Sequence, residues 1–280
     1  MSTRAPRPTH VFEVVRTEQV SPHMVRVHFG GAGVERFIAG VDPERAHFTD
    51  KYVKILFARP ELELEHPYDM EALRERLDPA DMPSRRTYTI RSIDEAGRSL
   101  AIDFVVHGDE GLAGPWAARA QPGDRISLNG PGAGYAPSAE VGAHLFFGDD
   151  SALPAIAASI ESLPGDARGL AIIEVATAAD EIPIDAPAGL EVRWAHRGSG
   201  AYGHTLVAAV SALDAPSGDV DVFAHGEREA MKSLRPLLNK EWGIERSRLS
   251  LSGYWAFGRA EDTFQAEKRE PIGQIFDPQP

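Results

Sequence analysis

Arg85-Arg-Thr-Tyr-Thr-Ile-Arg91 is the segment whose residue types carry the most chemistry. Alternation along a strand sends Arg86, Tyr88 and Ile90 to one face and Thr87, Thr89 and Arg91 to the other. A guanidinium pairs bidentately with phosphate, an aromatic ring lies against a conjugated ligand, and a threonine hydroxyl hydrogen-bonds a ring nitrogen. Held within a few residues on one strand, these groups suit a flavin nucleotide. An ordinary antiparallel strand with Arg and Tyr on its wet face is the competing reading.

The stretch from Asp103 to Ala117 reads as a strand end, a Gly-containing loop and a short helix with Pro115 in its first turn. N–H groups at such a helix start lack intrahelical partners and can seat a pyrophosphate. His107 ends the strand beside this loop, where it either touches a flavin ring or serves the structure.

Two later segments could meet a nucleotide. Gly148-Asp-Asp-Ser-Ala-Leu-Pro-Ala155 follows a strand and opens a helix that Ser151 can cap while its amides face a phosphate. Asp149 and Asp150 would repel that phosphate unless turned away. Gly198-Ser-Gly-Ala-Tyr-Gly203 is a literal G-x-G-x-x-G, with Asp219 and Asp221 downstream. It follows the third strand of its half rather than the first, which favours a plain loop. Gly130-Pro-Gly-Ala-Gly-Tyr135 has no helix behind it and reads as a turn or linker.

The elements around these segments change character once. Residues 10–137 carry short alternating or β-branched runs, Val11–Thr17, Met24–Phe29, Tyr52–Phe57, Thr87–Ile93, Leu100–Val106 and Arg125–Leu128, which predict an antiparallel barrel or sandwich. Helical patterns at 70–77 and 114–120 interrupt them. From 143 to 280 the rhythm is strand, helix, strand, which predicts a parallel sheet covered by helices and a C-terminal tail. The fold class expected is therefore β followed by α/β, in two domains.

Composition agrees and narrows the chemistry. A chain of 280 residues with 42% hydrophobic content buries an ordinary core. Having no cysteine, it cannot be a disulfide framework, a thiolate zinc site or a cysteine-ligated iron–sulfur protein, so redox work needs a bound cofactor. A net charge of −13 argues against nucleic acid and anionic membrane as partners. The ten histidines show no H-E-x-x-H or close ligand pairing, and no built-in metal site is expected. With no apolar leader and no long apolar run, a soluble cytoplasmic protein, monomeric and with loose ends, is expected.

Five segments occur in the order found in one family: Arg86-Thr-Tyr-Thr89, the loop from His107 to Ala117, Gly148 to Ala155, His225-Gly-Glu227, and Gly253-Tyr-Trp255. Together they resemble the siderophore-interacting proteins, a branch of the ferredoxin–NADP reductase superfamily, across essentially the whole chain. The resemblance implies an N-terminal antiparallel FAD-binding β-barrel, a C-terminal pyridine-nucleotide-type domain, and FAD-dependent reduction of a ferric siderophore. Electrons would come from NADPH, NADH or reduced ferredoxin. It further implies that Arg86 binds FAD phosphates, Tyr88 packs on the isoalloxazine or its ribityl chain, and Thr89 approaches N5. Gly111, Leu112, Ala113 and Trp116 would line the pyrophosphate loop, with His107 and Trp255 near the cofactor.

By the same resemblance Gly148, Asp149, Ser151, Ala152, Gly226 and Glu227 would meet the nicotinamide nucleotide. Lys51, Lys54, Arg197, Arg259 and Lys268, with Arg91 and Arg269, are basic residues available to a substrate groove. Two departures stand out. The family tends to have Gly-Pro-Ala-Ser at Gly111-Leu-Ala-Gly114, and two arginines at Ala256 and Phe257. No acid–base residue is required for electron transfer to a chelate, so no triad is expected. The alternatives are a general NAD(P)H:flavin or ferredoxin reductase, and a siderophore-binding protein without turnover.

Overall fold

The computed structural model describes residues 9–109 and 111–276. The chain divides into two units, one running to Gly134 without Ser21–His23 and the other comprising that turn and everything from Tyr135.

The first unit is a closed barrel of order β1-β2-β5-β4-β3-β6. Its strands are β1 (Thr9–Ser21), β2 (Met24–Gly30), β3 (Tyr52–Phe57), β4 (Ser84–Asp94), β5 (Ser99–Val105) and β6 (Arg125–Gly132). β1 and β6 close it in antiparallel register, with Phe12 opposite Ile126. Closure removes exposed edges, and the inward residues of every strand then share one core. That core includes Phe12, Val27, Phe29, Ile55, Phe104 and Leu128.

Three helices decorate the barrel: α1 (Ala32–Ala39), α2 (Met70–Arg74) and α3 (Ala113–Arg119). The sequence pattern gives α2 and α3 but not α1. α1 lies so close to β1 that a Cβ on Gly33 would sit 1.7 Å from the Val11 carbonyl oxygen. Its Phe37 meets Phe12 edge-on at 5.3 Å. Gly130 to Gly132, read as a turn, instead finishes β6.

The second unit is a parallel sheet of order β11-β10-β7-β8-β9. Its elements are β7 (Ala143–Asp149), α4 (Leu153–Glu161), β8 (Arg168–Val175), β9 (Gly189–His196), α5 (His204–Ser211), β10 (Val220–Glu227), α6 (Arg228–Pro236), β11 (Leu249–Trp255) and α7 (Glu261–Glu267), strand and helix alternating except between β8 and β9. β10 is buried along its whole length, its polar Asp221, His225 and Glu227 included. The order reverses between β7 and β10, and open α/β sheets bind ligands at the carboxyl side of such a switch point. Among the described residues no helix is long and apolar enough to cross a membrane.

Candidate functional site

The barrel places Arg86, Tyr88 and Thr89 on β4 opposite Ile55, Val53 and Tyr52 of β3. Arg86 is half-buried, and one guanidinium nitrogen donates to the Arg85 carbonyl at 2.7 Å. The Tyr88 ring tilts against Phe104, centroids 4.5 Å apart, and Thr89 is buried. Alternation breaks just beyond, where the β4–β5 register shifts between Ile90 and Ser92. This irregularity carries Arg91 toward Asp103, at 4.0 Å, which Arg26 already holds in a fork of 2.6 and 2.8 Å. Arg91 is thus part of a barrel ion cluster.

After β5, His107, Gly108 and Asp109 are exposed, as are Gly111 and Leu112 just before α3. Gly108 and Gly111 take φ of +60° and +80°, with no atom within 4 Å of the position a Cβ would occupy. At these two glycines the backbone is left-handed and open, which leaves room for a ligand to approach. Gly114 lets α3 abut β5, since its Cβ would lie 3.0 Å from the Val105 carbonyl oxygen. The N-cap of α3 is Leu112, whose side chain has no acceptor to offer the amides of the first turn. Trp116 faces the other way. Its ring stacks on Phe29 at 6.3 Å and meets Phe57 and Phe104 at 5.9 and 5.6 Å, so it packs the barrel core beneath the loop.

FAD presents two phosphates, a ring system and a polar chain. Arg86, Tyr88, the buried Thr89 hydroxyl and the uncapped amides after Gly111 match that donor set. The barrel residues fit the group.

The second unit gathers Gly148, Asp149, Ser151, Ala152, Gly226, Glu227 and Trp255 at the carboxyl ends of β7, β10 and β11, and gives them different roles. Ser151 does not cap α4. Its amide and hydroxyl both donate to Asp149 Oδ1, at 3.0 and 2.5 Å, and the Ala152 amide joins them at 3.3 Å. Asp149 Oδ2 accepts the Glu227 amide at 2.7 Å and the Trp255 indole N–H at 2.9 Å. Asp149 is the hub of the site. Gly226, at φ +154°, makes room for it, because a Cβ there would lie 2.7 Å from Asp149 Oδ2. Gly148 lets α4 pack on β7, its Cβ position being 2.7 Å from Ile156 Cδ1.

Burial pushes both neighbouring aspartates up, Asp150 to about 8 with the charge of Asp149 as the next cause. The hydrogen bonds from Ser151, Trp255 and Glu227 pull Asp149 back down. Both carboxyls are thus held above the ordinary aspartate value, with the hydrogen bonds at Asp149 opposing the shift there.

Beside this hub lies a residue that spacing does not single out. Glu174 is wholly buried at the end of β8 and accepts from the Gly203 and Leu206 amides at 2.7 and 3.0 Å and from the Thr205 hydroxyl at 2.6 Å. The G-x-G-x-x-G loop thus meets a carboxylate of its own chain. Arg197, its side chain 7% exposed, sits 3.7 Å from Glu174 and 4.0 Å over the Tyr202 ring.

Among the remaining basic residues, Lys51, Arg259 and Lys268 are engaged locally. The Lys51 ammonium donates to the carbonyls of Ala46 and Phe48. Lys54 is half-buried on β3. Arg259 pairs with Glu267 at 2.8 Å, and Lys268 lies 4.7 Å from the Phe264 ring centroid.

Residues 13–135 match the siderophore-interacting FAD-binding domain, and residues 141–258 match the siderophore-interacting protein family. The chain belongs to the siderophore-interacting protein family. It is 44% identical over 280 residues to an uncharacterized protein of Mycobacterium tuberculosis, covering 95% of this chain and 96% of the relative. The ferric vibriobactin reductase of Vibrio cholerae is 33% identical over 201 residues, 71% of this chain and 74% of that one. An NADPH-dependent ferric-chelate reductase of Escherichia coli is 26% identical over 247 residues, covering 86% and 91%. Among solved structures, a siderophore utilization protein from T. fusca matches with a TM-score of 0.76 and 36% identity, over 91% of this chain and 95% of that one. A ferredoxin reductase of carbazole 1,9a-dioxygenase shares the fold at TM-score 0.61 and 17% identity, over 89% and 70%. The barrel-then-sheet architecture of this siderophore-interacting protein is thus that of the ferredoxin reductases.

Proposed function

We propose that this siderophore-interacting protein is an FAD-dependent oxidoreductase that reduces ferric siderophores and so releases their iron as Fe(II). The observation that carries the reading is the pairing within the barrel of a structured strand presenting Arg86, Tyr88 and Thr89 with an open, glycine-containing segment whose helix is capped by Leu112, a residue without a side-chain acceptor.

Bound FAD supplies the ability to accept an electron pair and give it up one electron at a time. The chain's own task is to hold and tune it. Arg86 would grip phosphate, the loop amides after Gly111 would share that charge, and the Thr89 hydroxyl would hydrogen-bond the polar edge of the ring. Fe(III) is hard and held tightly by hydroxamate or catecholate oxygens, whereas Fe(II) binds such donors more weakly. One electron per iron therefore lets the metal go, and no protein acid or base is needed for that transfer.

The test is an anaerobic titration of the FAD-loaded, dithionite-reduced protein with ferric hydroxamate and ferric catecholate complexes. Return of the oxidised flavin spectrum, with Fe(II) captured by a chromogenic chelator, is expected. A reduced protein that ferricyanide reoxidises and ferric chelates do not would overturn the reading.

A further inference from the structure

A dinucleotide diphosphate is ordinarily held in a sheet of this kind by unpaired amides at the helix starts beyond the strand ends, aided by a cation. At three helix starts beyond strand ends of this sheet, those of α4, α5 and α6, amides are taken by carboxylates of the chain itself. At α4 the Ser151 and Ala152 amides bond Asp149, and Pro154 has no amide hydrogen to offer. At α5 the Gly203 and Leu206 amides bond Glu174. At α6 the Glu229 and Ala230 amides bond Glu227 Oε2 at 2.6 and 3.0 Å. The other oxygen of Glu227 accepts the Phe257 amide at 3.2 Å.

Nearby cations face carboxylates of the chain itself, although one buried Arg197 guanidinium nitrogen has no hydrogen-bond partner among the described residues. Arg197 faces Glu174 and the Tyr202 ring, and Arg228 pairs with Glu229 and Glu267. A diphosphate entering this edge would have to displace a buried carboxylate and would meet others beside it. In a site of low dielectric that repulsion outweighs the gain from amides already satisfied.

We infer that Asp149, Glu174 and Glu227 are internal occupants of the three phosphate seats at this sheet edge, and that they make the unit select against a pyridine dinucleotide held by its diphosphate. The inference rests on the reductase reading given above and specifies its donor side: the donor is taken without a grip on its phosphates.

The experiment uses the FAD-loaded full chain. Flavin reduction is followed by stopped flow against NADPH, NADH and reduced nicotinamide mononucleotide, which lacks the adenosine phosphate half. Expected are rates that rise linearly to about 1 mM of each donor, the upper end of ordinary substrate affinities. The mononucleotide should match NADH within about threefold, a difference under 1 kcal/mol. Calorimetry with NADP⁺ should give no saturable heat. A plateau well below that concentration, a preference of about tenfold or more for the dinucleotides, or a saturable NADP⁺ isotherm would overturn the inference.

Dithionite reduction followed by ferric chelate reports on the reductase reading independently of the donor, so the two failures are distinguishable. NADP⁺ calorimetry still decides the inference if that reading falls.

Discussion

Trp255 donates its indole N–H to Asp149 Oδ2 at 2.9 Å, tying the last residue of β11 to the last residue of β7 across the intervening β10. The same oxygen takes the Glu227 amide from β10, so one carboxylate gathers three strand ends. Removing it strands several buried donors at once. Asp149→Ala is expected to destabilise the second unit by roughly 3–5 kcal/mol, the range for breaking buried charged hydrogen bonds. Urea unfolding followed by tryptophan emission checks this; a loss well under 1 kcal/mol would show that the hub is dispensable.

Arg86 is the barrel's candidate phosphate ligand. Arg86→Ala is expected to weaken FAD binding by ~1.5–3 kcal/mol, about ten- to hundredfold, the worth of a charge-assisted contact. The unfolding midpoint of the flavin-free protein should barely move. Fluorimetric titration of apoprotein with FAD measures the first and thermal denaturation the second.

Trp116 separates the two kinds of role. Its ring packs against Phe29, Phe57 and Phe104 in the barrel. Trp116→Ala is therefore expected to cost about 3 kcal/mol in the flavin-free protein, the low end for such truncations because the residue is only half-buried. Chemical denaturation of apoprotein is the measurement, and an unchanged midpoint would assign the ring to the cofactor instead.

Asp150 makes stability depend on pH. Its carboxyl is raised from 3.8 to about 8 by burial and then by the Asp149 charge. As pH rises through that window the unfolded chain releases a proton that the folded chain keeps, so stability falls and then levels off above about 8. Asp150→Asn should flatten this limb and leave the variant more stable than the parent in mild alkali. Urea titrations at about pH 5 and about pH 9 test the sign, since the linkage slope reports the proton difference directly.

Sequence pattern reached some of these features and not others, for physical reasons. The alternation of β4 and the β-branched runs of the barrel are local, and they placed Arg86, Tyr88 and Thr89 on the same strand. The βαβ rhythm located α4 and α5 and the glycine turn before each. Capping went the other way. Serine is a favoured cap, so Ser151 attracts that role, yet a buried Asp149 two residues earlier collects the amides and the serine hydroxyl together. The bond from Gly203 to Glu174 joins residues 29 apart, and no window along the chain contains both as a pattern. α1 escaped notice because its helix opens on Gly31-Ala-Gly33, a composition that argues against helix, while tertiary packing on Val11 selects it. The bulge at Arg91 likewise exists only where β4 meets β5.

Every residue of β10 is buried, and the strand is hydrogen-bonded on both sides, to β7 and β11. Its amide hydrogens therefore have no route to exchange short of opening the whole sheet, and they should be among the last in the protein to pick up deuterium. Because that strand runs directly into Glu227 and the first turn of α6, the acid-filled edge is anchored to the segment that opens least. Fluctuations that loosen surface loops leave its carboxylates in place.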